Sequence, residues 1–120
     1  MAHGSTTTVI DSFTGSNTGQ TITLPVGPNP EDYSIRAHVI SVCTIVGTVT
    51  GAVLSFDVQL KDGTWQDSGQ PSLSIAGSTG TVFRYSAIFS TATIKGLRTR
   101  VSGWTGGTSC NVVTTVVYLI

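Results

Sequence analysis

Charged side chains are scarce in this sequence of 120 residues: they make up 10% of it, and the six basic and six acidic residues cancel. An ordinary globular domain is about a quarter charged. A neutral chain with so few charges generates no long-range field that would attract nucleic acid or an acidic membrane surface. It also has little charge repulsion to oppose association, so we expect contacts with sister copies or other proteins.

Residues that favour helices are also few, with six Ala, six Leu, two Lys, one Glu and one Met. Thr, Val and Ile instead account for 43 residues, and β-branched side chains fit a pleated sheet better than a helix. No apolar run approaches the roughly 18 residues that a membrane span needs, and the first residues lack the basic and apolar segments of a secretory signal. We therefore expect an all-β protein that is made in a cytosol.

Short runs with a period of two, separated by clusters of Gly, Asn, Pro and Asp, recur along the chain. This spacing predicts an antiparallel β-sandwich of jelly-roll type with about eight strands. Residues 33–46 and 52–61 are the longest candidate strands, and a turn is expected between them at 47–51. The last strand, residues 110–119, is apolar on both faces, which is typical of a central strand or of one covered by a partner.

The alternation within residues 52–61 predicts which side chains face the core. Even-numbered positions are apolar, whereas Ser55, Asp57 and Gln59 occupy the outward positions. We expect a core that contains Leu54, Phe56, Val58, Leu60, Leu97 and Val101, with Phe83 or Phe89 packed against it.

The chain is long enough for one domain and too short for two. Residues 20–120 are expected to form a single β-sandwich domain. Residues 1–19 leave two alternatives open: an N-terminal arm that contacts a partner, or the first strand of the sandwich itself. Because this segment has strand composition, it could add to the edge of a neighbouring sheet. The candidate partner contacts within it are Thr6, Thr7, Thr8, Val9 and Ile10.

Residues able to support catalysis are sparse and scattered. The two histidines, His3 and His38, stand beside no evident acid, and no G-x-S-x-G elbow accompanies them. Paired carboxylates for glycoside hydrolysis would have to come from Asp57, Asp62 and Asp67, which cluster around a hairpin where aspartate usually forms turns. The same aspartates lack the spacing of a calcium loop. We expect no enzyme activity, no metal site and no cofactor.

The two cysteines, Cys43 and Cys110, form no C-x-x-C motif and have no neighbouring histidine in the sequence. A zinc site is therefore not expected. Two interpretations remain: a pair of buried thiols, or a disulfide between two central strands.

Aromatic and arginine side chains offer the remaining candidates for binding. Trp65 and Trp104 could form a flat platform for sugars, as in β-sandwich carbohydrate-binding modules, although aromatic residues at strand ends more often plug a core. Arg98 and Arg100 share one face of a strand, but a neutral chain has no basic stripe for nucleic acid. We expect these two arginines to meet acidic side chains of a neighbouring protein or to stack on tyrosines.

Two segments carry a resemblance to a known family. The first is the hairpin VQLKDGTWQD at 58–67, and the second is IKGLRTRVSGWTGGT at 94–108. Together they resemble small β-sandwich virion accessory proteins of tailed bacteriophages, which commonly carry a D-G-x-W hairpin, then a Leu-Arg-x-Arg-Val strand, then a Gly-Gly-Thr turn before a last Val- and Thr-rich strand. The resemblance covers roughly residues 33–119.

This resemblance implies a structural, non-enzymatic virion protein, most often a capsid decoration (cement) protein that binds the outside of the assembled shell. The implied partners are the major capsid protein or another virion protein, and sister copies in a homo-oligomer, without nucleic acid or membrane. A tail or neck component and a carbohydrate-binding module are the alternatives. The family carries over no catalytic residues.

Overall fold

The computed structural model describes residues 6–24, 36–90 and 94–119, and these fold into nine antiparallel strands. The strands are β1 Thr6–Phe13, β2 Asn17–Thr18, β3 Ile22–Thr23, β4 Arg36–Leu60, β5 Trp65–Asp67, β6 Leu73–Ser78, β7 Val82–Ser90, β8 Ile94–Ser102 and β9 Gly107–Leu119. None of the described residues belongs to a helix that could span a lipid bilayer. The predicted all-β class is confirmed. The first residues of the predicted strand 33–46, and His3, lie outside the described residues.

Strand β4 organises the fold because its 25 residues belong to two sheet layers. Its first half, residues 36–46, pairs with β9 and β7, and β1 extends this layer beyond β9. Its second half, residues 48–60, pairs with β8, β5 and β6, and β2 and β3 pair with β8. We call the β1-β9-β4-β7 sheet layer one, and the sheet built on the second half of β4 layer two. The two layers face each other as a sandwich.

The turn predicted at 47–51 is wrong, because β4 passes through this segment without ending. The pairing register shifts there against both β9 and β6, so bulges bend the strand while its pairing continues. Gly47 has a φ of +85°, and a Cβ at this position would lie 2.6 Å from Oγ1 of Thr108. Both observations require glycine at the bend, where the strand crosses from one layer to the other.

The sandwich interior consists of two hydrophobic clusters, each of which contains side chains from both layers. The first cluster, near the two ends of β4, includes Ala37, Val39, Phe56, Val58, Phe89, Leu97 and Val116. The second cluster, near the bend of β4, includes Phe13, Ile45, Leu54, Ile75, Val101 and Val112. The predicted core is confirmed, with Phe89 buried in the first cluster, except that Leu60 is only half-buried.

A band of buried polar side chains separates these clusters. Ser41 of β4 lies directly opposite Thr114 of β9, with their hydroxyl oxygens 2.8 Å apart. The Asp11 carboxylate accepts hydrogen bonds from the main-chain N–H and the side-chain Nε2 of Gln20, at 3.0 and 3.1 Å, and from Thr99 Oγ1 at 3.5 Å. Each of these inward-facing polar groups therefore has a partner within the chain, as buried polar groups require.

Cys43 and Cys110 are free thiols, both buried on the inner face of layer one. Cys110 lies opposite Ile45 in the β4–β9 ladder, two residues beyond Cys43 on the same face. The hydrogen bond with Cys110, together with burial, raises the pKa of Cys43, so this thiol stays protonated at neutral pH. Of the two interpretations open in the sequence, the structure contains the pair of buried thiols.

Candidate functional site

The outer face of layer two carries a compact group of charges centred on Asp57. The β4–β8 register places Asp57 opposite Arg98, whose Nε donates to Asp57 Oδ2 at 3.1 Å. Arg100 Nη1 lies 2.9 Å from Asp57 Oδ1 but off the direction of its N–H bonds, so this contact is an ion pair without a well-formed hydrogen bond. Only 3% of the Asp57 side chain is exposed, because the two arginines cover it.

Strand β5 completes this group. Arg100 Nη2 donates to Asp67 Oδ2 at 2.7 Å, and the guanidinium of Arg98 lies 4.0 Å from the ring centroid of Trp65 in a cation–π contact. The hydrogen bond from the N–H of Gly69, followed by that from Arg100, lowers the pKa of Asp67. The group is neutral as a whole. We call it the ionic cluster, and its members are Asp57, Asp67, Arg98 and Arg100.

The ionic cluster corrects the expected partners of Arg98 and Arg100. Their acidic partners are Asp57 and Asp67 of the same chain, not residues of a neighbour, and the stacked ring belongs to Trp65, not to a tyrosine. The sequence pattern correctly gave Asp57 an outward position, but it did not predict that the side chain is buried there. That outcome depends on the pairing of β4 with β8, which the alternation within a single strand does not contain.

The two tryptophans of the glycan-binding alternative lie at opposite ends of layer two. Trp65 pairs opposite Gln59, whereas Trp104 follows the end of β8, where Ser102 lies opposite Val53. Six residues of β4, roughly 20 Å, separate these positions. One ring face of Trp65 is covered by an arginine, and Trp104 packs against the second hydrophobic cluster. The fold therefore does not bring the two rings into one platform.

Within the described ranges, no three His, Cys, Asp or Glu side chains lie close enough together to hold a metal ion. Asp62 serves the predicted hairpin turn, where its carboxylate accepts the N–H of Thr64 at 2.9 Å. This hydrogen bond lowers the pKa of Asp62. His38 lies half-buried on the outer face of layer one, remote in the fold from the aspartates of β5 and its turn.

The outer face of layer one differs from that of layer two because it is apolar. In the part of the chain that the structure describes, four large hydrophobic residues are exposed, and all four point outward from this face. They are Ile10 at 65% exposure, Ile88 at 58%, Val82 at 43% and Val46 at 41%. We call this surface the apolar face.

The strand register makes the apolar face continuous. One row across the strands runs from β1 through β9 and β4 to β7 as Ile10, Val113, Val42 and Arg84. The next outward row is Thr8, Thr115, Ile40 and Ser86, and the one after it is Thr6, Val117, His38 and Ile88. Directly opposite side chains in a sheet are about 5 Å apart and diagonal ones about 7–8 Å, so the apolar residues of these rows connect through Ile40 and Val42, with polar side chains among them.

Titratable groups are few on the apolar face. Among the described residues they are Arg36, Arg84 and His38, and no carboxylate is present. Arg36 and Arg84 form no ion pair with the described part of the chain. The sequence pattern indicated part of this surface, since residues 110–119 are apolar on both faces.

Strand β1 forms one edge of the apolar face. Within the described ranges it pairs only with β9, along its whole length, so Thr6–Phe13 is an edge strand of the domain and not an arm that leaves it. Gln20 covers part of its open side by donating from Nε2 to the Ile10 carbonyl at 2.7 Å. The side chains of Thr6, Thr7 and Thr8 are exposed.

The chain is similar in fold to the SPBc2 prophage-derived protein YomS, with a TM-score of 0.56 and 12% identity over 98% of this chain and 96% of that one. Weaker similarities are to a family 16 carbohydrate-binding module, with a TM-score of 0.42, 8% identity and coverage of 84% and 70%, and to infectious bursal disease virus, Gx strain, with a TM-score of 0.40, 16% identity and coverage of 98% and 37%. These two similarities are too weak to indicate a property of this chain. No protein-family model and no curated protein matches the sequence. The comparisons thus show a fold that this chain shares with a prophage-derived protein.

Proposed function

We propose that this chain is a structural, non-enzymatic virion protein of the capsid decoration (cement) type, which binds the outside of an assembled shell. The observation that carries the proposal is the edge strand β1, which adjoins a sheet face that gathers all four exposed large hydrophobic residues of the described chain. Single exposed apolar residues are normal on a soluble protein, whereas a contiguous apolar patch marks a contact surface. A surface of this kind suits a protein partner better than a small-molecule substrate.

Two further observations support a phage origin for this role. The fold is shared with a prophage-derived protein over nearly the full length of both chains. The hairpin and strand motifs at 58–67 and 94–108, which resemble those of phage virion accessory proteins, form β5, β8 and the turns around them. Three members of the ionic cluster, Asp67, Arg98 and Arg100, belong to these segments, and the fourth, Asp57, directly precedes the first of them.

A decoration protein of this kind acts by mass action. It binds the assembled shell and not the loose subunits, so its binding shifts the equilibrium toward assembly. Many identical weak contacts around a shell add up through avidity, and each of them can be small.

We assign the shell contact to the outer edge of β1 around Thr6 and Thr8, beyond the Ile10 carbonyl to which Gln20 donates. An edge strand binds a partner by adding to its sheet, and the main-chain hydrogen bonds supply the affinity. Thr6, Thr7 and Thr8 accompany this contact with small polar side chains that do not hinder a second strand. Arg98 and Arg100 take no part in it, because the ionic cluster already occupies them.

The first test is the number of copies of this chain in purified virions, measured by quantitative mass spectrometry against the major capsid protein. The proposal expects hundreds of copies per particle. A handful of copies would move the protein to the neck or tail, and its absence from virions would overturn the proposal.

The second test uses two neighbouring proline variants, Thr7→Pro and Thr8→Pro. Adjacent residues of an antiparallel edge strand direct their main-chain groups to opposite sides, so one proline removes a bond to β9 and the other removes an outward donor. Thermal melting distinguishes the two variants, because only the proline that removes a bond to β9 should lower the melting temperature. The variant that melts like the wild type should detach from particles, and its full retention would refute the edge contact.

The carbohydrate-binding alternative receives no comparable support, since Trp65 and Trp104 lie at separate ends of layer two.

A further inference from the structure

We infer that the apolar face is a self-association surface, on which a second copy of this chain packs sheet against sheet. The inference rests on the proposed function only in that it names the surface of the expected homo-oligomer. Its test requires the purified chain alone. Self-association can therefore fail while the decoration role stands, and the decoration role can fail while self-association stands.

The size of the apolar face is sufficient for a dimer. Four strands spaced about 4.8 Å apart, each contributing about nine residues of about 3.4 Å, cover about 19 by 30 Å, or about 600 Å². Two copies would together bury about 1,200 Å², which reaches the lower bound of specific protein interfaces. The four exposed large hydrophobic residues all fall within this area.

The chemistry of the apolar face favours a second copy over a basic partner. Homodimer interfaces have apolar centres that are depleted of charge, and the centre of this face consists of Ile40, Val42, Val113, Thr115 and Val117, none of which is charged. The chain as a whole has no net charge, so two copies do not repel each other at long range. Since the face presents no carboxylate among its described residues, a basic partner would find nothing to pair with.

A twofold axis that runs parallel to the strands, in the plane of the interface, can relate the two copies without placing like charges opposite each other. Such an axis places β1 of one copy over β7 of the other, and each cross-strand row over itself in reverse. Val42 then lies over Val113, and Arg84 lies over Ile10 at the margin, where the guanidinium can reach solvent. Arg84 of one copy stays at the opposite edge from Arg84 of the other.

The outer face of layer two does not offer an equivalent surface. Its arginines and aspartates are already paired within the chain, and a partner would have to remove water from the half-exposed Asp67 and from Arg100 without supplying new charges. Val53 is a half-buried apolar residue on that face, and it provides a matched control.

The experiment is sedimentation velocity of the full chain across a wide concentration range, with the variants Ile88→Glu, Ile10→Thr and Val53→Thr. Ile88→Glu places a carboxylate within the interface and Ile10→Thr removes the most exposed apolar side chain, whereas Val53→Thr makes the same kind of change on the other face. We expect a concentration-dependent dimer for the wild type and for Val53→Thr. Its dissociation constant should rise more than about tenfold in Ile88→Glu and by a smaller factor in Ile10→Thr.

Folding of each variant is checked by thermal melting, and Ile10→Thr carries the test if Ile88→Glu does not fold. A wild-type chain that stays monomeric at every concentration would overturn the inference, as would a dimer that Ile10→Thr and Ile88→Glu leave intact. If the wild type is monomeric but Ile88→Glu detaches from virions, the apolar face binds the shell instead, so self-association is wrong while the decoration role survives.

Discussion

The two outer faces of this sandwich differ in whether their outward side chains have partners within the chain. On layer two, Asp57, Arg98 and Arg100 point outward and form ion pairs with one another, so the charges of this face are matched within the chain. On layer one, Ile10 and Ile88 point outward and stay exposed. The difference shows that charge does not by itself mark a binding surface. In this chain the charges of layer two are paired with one another, and the apolar face is the one left for a partner.

The largest expected effect separates the two aspartates of the ionic cluster. Asp57→Ala should lower the free energy of unfolding by about 3 kcal/mol, because it removes a buried carboxylate and leaves two arginines without it. Asp67→Asn should cost no more than about 1 kcal/mol, since the Asp67 side chain is 52% exposed. Urea denaturation of both variants measures the contrast. A loss below about 1 kcal/mol for Asp57→Ala would mean that the cluster contributes little to the fold.

Acid should weaken layer two through Asp67. Hydrogen bonds from Gly69 and Arg100 hold the pKa of Asp67 below its ordinary value, so this group stabilises the fold above the unfolded pKa of about 3.9 and stops doing so as the pH falls through the folded pKa. The gap in urea midpoint between the wild type and Asp67→Asn should be constant from neutral pH to about 5 and close below about 4. A gap that widens in acid would contradict this sign.

On the outer face of layer one, a substitution should hardly change the free energy of unfolding. Ile88→Thr should change the free energy of unfolding of the monomer by no more than about 0.5 kcal/mol, because Ile88 is 58% exposed and packs little within the chain. Urea denaturation at a concentration below the dimer range tests this. A loss above about 1.5 kcal/mol would place Ile88 in the monomer's own packing and remove it from the contact surface.

The smallest expected effect concerns the inner side of layer one. Cys43 and Cys110 are buried, and the raised pKa of Cys43 disfavours its reactive thiolate. Iodoacetamide should therefore label neither thiol in the native protein and both after denaturation without reductant. Failure to label in the denatured, non-reduced state would indicate a disulfide.

Sequence pattern predicted what depends on alternation within one strand. The inward positions of Leu54, Phe56 and Val58 and the outward positions of Arg98 and Arg100 all follow from it. It failed where the outcome depends on which strands pair. The burial of Asp57 needs β8 beside β4, and the continuity of β4 through Gly47 needs bulges whose cause lies in β6 and β9.

The apolar face is an intermediate case. Both parities of β4 and β9 are apolar, and for the last strand, residues 110–119, the sequence allowed either a central position or a covering partner as the explanation. In the structure β4 and β9 are the two central strands of layer one, with β1 and β7 at its edges. Their outer side chains nonetheless remain uncovered within the described chain, so a central position accounts for the inner face and leaves the outer face to a partner.

Hydroxyl-radical footprinting of the full chain at low and at high concentration tests the contrast between the faces most directly. The account predicts that oxidation of Ile10 and Ile88 falls as the concentration rises, while oxidation of Trp65, beside the ionic cluster on layer two, stays unchanged. Protection of Trp65 with no change at Ile10 and Ile88 would show that layer two carries the contact, and would contradict the account.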